Sequence, residues 1–153
     1  MSTVHSILCR KGAEVLTIDA DQSVLAAAER MNERGIGGLV VVEGKRMVGI
    51  VTERDILRRV VAAERNPALT PVRAVMTSPI ACCRRDTTLA ECRAVMTKRR
   101  IRHLPVIDEG GLCGIVTIGD LMAHEVSDHE ATIEQLSGYI FGPTIREDQF
   151  ARK

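Results

Sequence analysis

The sequence predicts an α/β fold made of two β-α-β-β-α units related by a pseudo-twofold axis, followed by one extra carboxyl-terminal helix. Three observations predict it. The stretch GIVTERDIL at residues 49–57 returns as GIVTIGDLM at residues 114–122, an offset of 65. The register continues backward without a gap, pairing Val41 with Val106, Leu39 with Leu104, Ile36 with Ile101, Met31 with Met96 and Asp21 with Asp86, which marks a duplicated unit. Within each copy, short apolar runs and helix-like stripes alternate in the same order. A second similarity, RAVMT at residues 73–77 and 93–97, has an offset of 20 that nothing around it shares and is set aside as coincidence.

Each unit opens on a short apolar strand, residues 15–18 and 80–83. An acidic and hydroxyl cluster follows, residues 21–23 and 86–88, of the kind that caps a helix. Val24, Ala27, Ala28 and Met31 then recur at helical spacing, as do Leu89, Cys92, Val95 and Met96 in the second copy. Apolar runs at 38–42 and 104–107 lead through turns at 43–46 and 108–111 into 47–52 and 112–117, so each unit contributes a hairpin. Asp55 and Asp120 open the closing helices, which run to about residues 63 and 127, and Pro67 and Pro71 mark the linker. The first unit therefore covers residues 3–66 and the second 67–127. Ile133, Leu136 and Ile140 give a further amphipathic helix over 128–142, and residues 143–153 form a flexible tail.

Composition narrows the function classes. The 153 residues leave room for one domain or two halves sharing a core, with no separate effector domain. A net charge of +1 denies the chain the global basic field of a nonspecific nucleic-acid binder. Phe141, Phe150 and Tyr139 are its aromatic residues, too few for a base-stacking platform. No apolar run approaches the roughly 18 residues of a membrane span, and the amino terminus lacks a signal-peptide pattern, so cytoplasmic residence is expected. Cys9, Cys82, Cys83, Cys92 and Cys113 form no CxxC pair and read as reduced structural residues. His124 and His129 are five apart, where a metal pair on one helical face needs four, so no metal is expected.

The motif G-h-h-[ST]-x-x-D, present as Gly49 through Asp55 and again as Gly114 through Asp120, is the most specific signal. With HLPVID at 103–108 and VMTSP at 75–79, it makes the chain resemble the cystathionine-β-synthase-type (CBS) domains over residues 3–127. The resemblance implies a tandem pair that senses adenine nucleotides and commonly dimerises into a disc; no Ser-His-Asp or Cys-His set, nucleophile elbow or phosphate-loop motif occurs, so no catalysis is expected. The turn's own chemistry agrees. A Thr ending a strand and an Asp three residues later place a hydroxyl, a carboxylate and free helix N–H groups on one rim, which suits a ribose phosphate.

By resemblance, the cleft carrying Asp120 is completed by Gly12 and Val15, by Ile36 and Gly37, and by Arg102 and His103, beside Ile115 and Thr117 of its own unit. The cleft carrying Asp55 uses Thr77, Ile80, Ala81, Ile101 and Arg102, beside Ile50 and Thr52, with Arg54 available for phosphate. The small residues Ile36-Gly37-Gly38 align with Ile101-Arg102-His103, so the two clefts are expected to be unequal. The run Lys98-Arg99-Arg100 reads as the exposed end of a helix. AMP, ADP, ATP and NAD are the expected ligands, with no catalytic cofactor. A homodimer regulating a separate effector protein is the expected assembly. The rivals are an interaction scaffold with vestigial clefts and a small nucleotide-processing enzyme.

Overall fold

A computed structural model describes residues 1–128. The helix expected over 128–142, with Ile133, Leu136 and Ile140, and the tail over 143–153 fall outside the described residues.

The first half contains β1 (Thr17–Asp19), α2 (Val24–Arg34), β2 (Gly38–Glu43), β3 (Arg46–Thr52) and α3 (Glu53–Ile56), preceded by α1 (Val4–Lys11). Over Leu57–Val61 the α3 coil widens to five-residue hydrogen bonding, with the Ala62 N–H donating to the Leu57 carbonyl at 2.9 Å. The second half contains α4 (Leu89–Arg99), β4 (His103–Asp108), β5 (Gly111–Thr117) and α5 (Ile118–Asp128). Ser23 caps α2 by accepting the Ala26 N–H at 3.1 Å. Thr88 caps α4 in a reciprocal box with Glu91, so both acidic-hydroxyl clusters do what their residue types favour. The repeat holds in detail: both hairpins shift register at the same place, between Val41 and Val42 and between Val106 and Ile107.

One expected strand is missing. In the first sheet β1 runs parallel to β2, which pairs antiparallel with β3. In the second, residues 80–83 make a single parallel bridge, Cys83 to Val106, and the sheet has two strands. The reason is Pro105. Its first-half equivalent, Val40, donates its N–H to the Leu16 carbonyl at 3.4 Å, whereas Pro105 has no N–H to offer Ala81.

The cores are exchanged relative to the chain order. Val4, Ile7 and Leu8 of α1 pack with Cys92, Met96, Leu104, Val116 and Leu121, inside the second half. Val72 and Val75, beyond the linker, pack with Ile18, Val24, Leu39, Val51 and Val60, inside the first. A boundary at residue 66 therefore cuts across both cores. Gly49 and Gly114 make these crossings possible. A Cβ on Gly114 would lie 2.8 Å from Leu8 Cδ2, and one on Gly49 would lie 2.7 Å from Met76 Sδ and 2.9 Å from the Thr77 carbonyl oxygen. The glycine that begins the repeated motif is thus a packing requirement.

Cys83 and Cys92 are buried in the second core, and all five cysteines are free thiols. Hydrogen bonding to Cys92 and burial push the Cys83 thiol far up, so it stays protonated. No described helix is long and apolar enough to cross a membrane.

Candidate ligand-binding site

Each hairpin ends in the threonine that caps the following helix. Asp55 Oδ2 accepts the Thr52 N–H at 3.0 Å and the Thr52 hydroxyl at 3.2 Å, while Oδ1 accepts the Thr77 hydroxyl at 2.9 Å. In the second half Asp120 Oδ2 accepts the Thr117 N–H at 2.8 Å, and the Asp120 N–H donates to Thr117 Oγ1 at 3.2 Å. The carboxylates expected on open rims are therefore also helix caps, and Asp55 is only 8% exposed. Helix formation requires this: the first N–H groups of a helix have no internal acceptor, and an N3 carboxylate supplies one.

A hollow nevertheless lies beside them. A cavity of about 810 Å³ opens between the halves. All nine residues expected around Asp55 line it: Ile50, Thr52, Arg54 and Asp55 from the first half, and Thr77, Ile80, Ala81, Ile101 and Arg102 from beyond the linker. Of the set expected around Asp120, the same cavity takes Ile36, Gly37, His103, Ile115 and Thr117. Two separate clefts were expected, and one continuous space joins most of both sets.

Gly12, Val15 and Asp120 are not on its wall. Gly12 ends α1 at φ +89°, its N–H turned back to the Leu8 carbonyl at 2.9 Å. On either side of Val15, Glu14 and Leu16 line the cavity instead. Asp120 is covered by Lys11, whose ammonium sits 2.7 Å from Oδ2. The asymmetry expected from Gly37-Gly38 against Arg102-His103 is present, but this ion pair adds to it.

The wall is strongly cationic. Seven Lys and Arg side chains line it against the carboxylates of Glu14, Glu53 and Asp55, although the whole chain carries only +1. Arg58, Arg59, Arg99 and Arg100 were not expected there. Arg58 and Arg59 follow Asp55 by three and four residues, the helical spacing that puts side chains on one face, and that was the legible signal. Arg99 and Arg100 do end a helix, as read, but they end it at the cavity. Arg100 takes a left-handed conformation, φ +54°, and its carbonyl accepts a bond from the Arg54 guanidinium at 2.9 Å. Arg59 donates to the carbonyls of Val75 and Met76 at 2.8 and 2.9 Å and lies 3.8 Å from Asp55 Oδ1. Among the described residues no ion pair engages Arg58, Arg99, Arg100 or Arg102.

His103 stands across the pseudo-axis from its own counterpart, Gly38. A Cβ on Gly38 would lie 3.3 Å from the imidazole Nε2, so glycine leaves room for the ring. Burial, and next the charge of Arg102, hold the imidazole below the usual histidine range. The cavity thus presents guanidinium donors, a neutral imidazole and three threonine hydroxyls, a set suited to phosphate and sugar oxygens. Among the described residues no His, Cys, Asp and Glu cluster could hold a metal ion.

Comparison with known proteins agrees with this architecture. The CBS domain family model matches residues 5–62 and again 72–127. The CBS domain-containing protein CBSX3, mitochondrial, of Arabidopsis thaliana is 33% identical over 150 residues, 92% of this chain and 73% of that protein. A protein with CBS domains from Burkholderia ambifaria MC40-6 superposes with a TM-score of 0.81 at 42% identity, covering 83% of this chain and 96% of that one. The CBS domain pair of protein MJ0100, in complex with 5-methylthioadenosine and S-adenosyl-L-methionine, shares the fold with a TM-score of 0.74. Its identity is 24%, and the match covers 84% of this chain and 98% of that one. The 65-residue repeat, the exchanged cores and the two matched segments lead to one conclusion: this chain belongs to the CBS domain family, as a tandem pair.

Proposed function

We propose that this pair is a regulatory sensor that binds an adenosine phosphate in the cavity between its halves and transmits occupancy to a partner protein. The observation that carries the proposal is the cluster of guanidinium groups from Arg58, Arg99, Arg100 and Arg102, engaged by no ion pair among the described residues and facing a cavity large enough for a nucleotide. Such groups pay a repulsive cost to one another unless an anion joins them. The ligand's phosphates lie among these arginines in this reading, with its sugar and base toward Asp55, Thr52, Thr77 and the apolar side chains of Ile50, Ile80 and Ile101. The fold holds adenosine compounds in protein MJ0100.

Among the described residues no Ser or Cys lines the cavity to serve as a nucleophile, which favours sensing over catalysis. The wall is drawn from both halves, so a ligand touching both stabilises the arrangement that closes them, in proportion to its differential affinity. Leu57 and Val61 on the first closing helix are 60% and 62% exposed, and their equivalents Met122 and Val126 are 60% and 45% exposed. Two apolar pairs on two matching helices supply the seam of a homodimer in the cytoplasm. The capping bonds of Asp55 and Asp120 favour the rival reading, a scaffold whose clefts are vestigial.

Native mass spectrometry of the purified full chain, followed by melting with AMP, ADP, ATP and NAD, separates the two. The expected result is a dimer carrying an adenosine compound. A ligand at about 100 times its dissociation constant adds roughly 2.7 kcal/mol of stability. A monomer, or a melting point that none of the four moves, favours the scaffold.

A further inference from the structure

We infer that Lys11 is a built-in plug that closes the Asp120 lip of the pair and limits the chain to one nucleotide, held on the Asp55 side. The inference rests on the ligand-binding reading above and adds stoichiometry and a named gate to it. Its basis is a difference between two lips at equivalent positions of the repeat.

Lys11 occupies the position that Met76 fills in the other half of the repeat. Both residues lie on the crossing segments that each half lends to the other core. The Met76 side chain packs against Gly49 and brings no charge to Asp55, whose Oδ1 accepts the neutral Thr77 hydroxyl at 2.9 Å and has the Arg59 guanidinium only at 3.8 Å, beyond hydrogen-bond distance. A hydroxyl can rotate and share an acceptor with an incoming sugar. Lys11 instead ends α1 directly over Asp120 and places its ammonium 2.7 Å from Oδ2, the oxygen that also accepts the Thr117 N–H. The two side chains are 30% and 22% exposed, partly withdrawn from water.

Three features hold the plug in place. Leu8, one turn before Lys11, is buried against Gly114. Arg10, its neighbour, bonds Ser127 Oγ at 2.8 Å and lies 2.6 Å from His124 Nδ1, tying α1 to α5 a second time. Gly12, immediately after, leaves the helix at a φ that side-chain-bearing residues rarely adopt, which turns the chain away and leaves Lys11 as the last helical residue. The cavity wall reflects the result: it includes Lys11, Thr117 and Asp55 but not Asp120. A diol that sought Asp120 would have to break a hydrogen-bonded ion pair at 2.7 Å, whereas one that sought Asp55 would have to redirect the Thr52 and Thr77 hydroxyls beside the looser 3.8 Å contact to Arg59.

The test is calorimetric titration of the full chain with AMP, comparing the unaltered protein with Lys11→Met, the residue found at the equivalent position, and with Lys11→Gln. The expected result is one AMP per chain in the unaltered protein and two in either variant. Adding Asp120→Asn to Lys11→Met should return the count to one. Two sites in the unaltered protein, or a single site in both variants, overturns the plug while leaving ligand binding intact. Weaker binding at the first site in both variants overturns it as well, because Lys11 would then be a ligand contact. No AMP binding by any of the proteins removes the plug and the sensing reading together. Melting curves recorded alongside identify a variant that fails to fold, and the other variant then decides.

Discussion

Thr77 donates its hydroxyl to Asp55 Oδ1 at 2.9 Å, so a residue from beyond the linker completes a cap that belongs to the first half. The two equivalent aspartates therefore differ in structural weight. Replacing Asp55 by Ala strips an acceptor from the Thr52 N–H, the Thr52 hydroxyl and the Thr77 hydroxyl at a site only 8% exposed. Leaving partly buried donors without acceptors makes a loss of about 2 to 3 kcal/mol the expectation. Replacing Asp120 by Ala removes one capping bond and a partly exposed ion pair, and about 1 kcal/mol is expected. Urea unfolding midpoints of the two variants check the order. Equal losses would mean that the bond to Thr77 adds nothing.

The repeated glycines are also unequal, and for a reason read from their neighbours. A Cβ at position 49 meets the Thr77 backbone carbonyl oxygen at 2.9 Å, an atom that cannot swing aside because the Thr77 N–H and carbonyl are both bonded to Ile50. The three atoms nearest a Cβ at position 114 all belong to the Leu8 side chain, its two methyl groups first at 2.8 and 3.0 Å. Overpacking costs about 1 to 3 kcal/mol where the surroundings yield poorly. Gly49→Ala is expected toward the upper end of that range and Gly114→Ala toward the lower, measured as denaturant midpoints at constant slope. The opposite order would show that the α1 contact is the more rigid of the two crossings.

The repeat was legible because an offset is a property of the sequence itself, and Gly49 through Asp55 and Gly114 through Asp120 carry it without reference to packing. The caps at Ser23 and Thr88 were legible for the same reason, since a hydroxyl acts on a backbone three residues away. The destination of α1 was not. Val4, Ile7 and Leu8 have the spacing of an amphipathic helix, but nothing local says that their partners are Cys92, Leu104 and Leu121, about a hundred residues on. Pro105 was read as part of an apolar run, and its effect falls on a different segment, the strand expected at 80–83, through an N–H that it lacks. The nine residues expected around Asp55 came from resemblance to the family and all line the cavity, whereas Arg58, Arg59, Arg99 and Arg100, which also line it, were not among them. Lys11 escaped notice because the repeat puts Met76 in its place, so only the folded chain shows what it covers.

The pH response should be governed by His103. Its imidazole is held low first by burial and then by Arg102, with Lys11 acting in the same direction and Glu53 and Asp120 opposing. An unfolded histidine titrates near about 6.5, so the folded value lies below that. The stability contributed by keeping this ring neutral is therefore complete above the unfolded value and is lost as pH falls through the folded one. Replacing His103 by Asn should remove that part of the acid sensitivity, seen as a shallower fall of the melting temperature below pH 6.5. An anion placed beside the ring reverses the balance, since a phosphate favours the imidazolium and proton uptake then accompanies binding. The affinity for NAD, whose pyrophosphate does not titrate in this range, should rise from pH 7.5 to pH 5.5 in the unaltered protein more than in His103→Asn. Tightening should begin where the imidazole of the complex takes up its proton and should level off once pH falls through the lower value of the free protein, because proton uptake on binding is confined to the interval between the two. An affinity ratio between the two proteins that stays constant across this interval would place the phosphates away from His103, among Arg58, Arg99 and Arg100 alone.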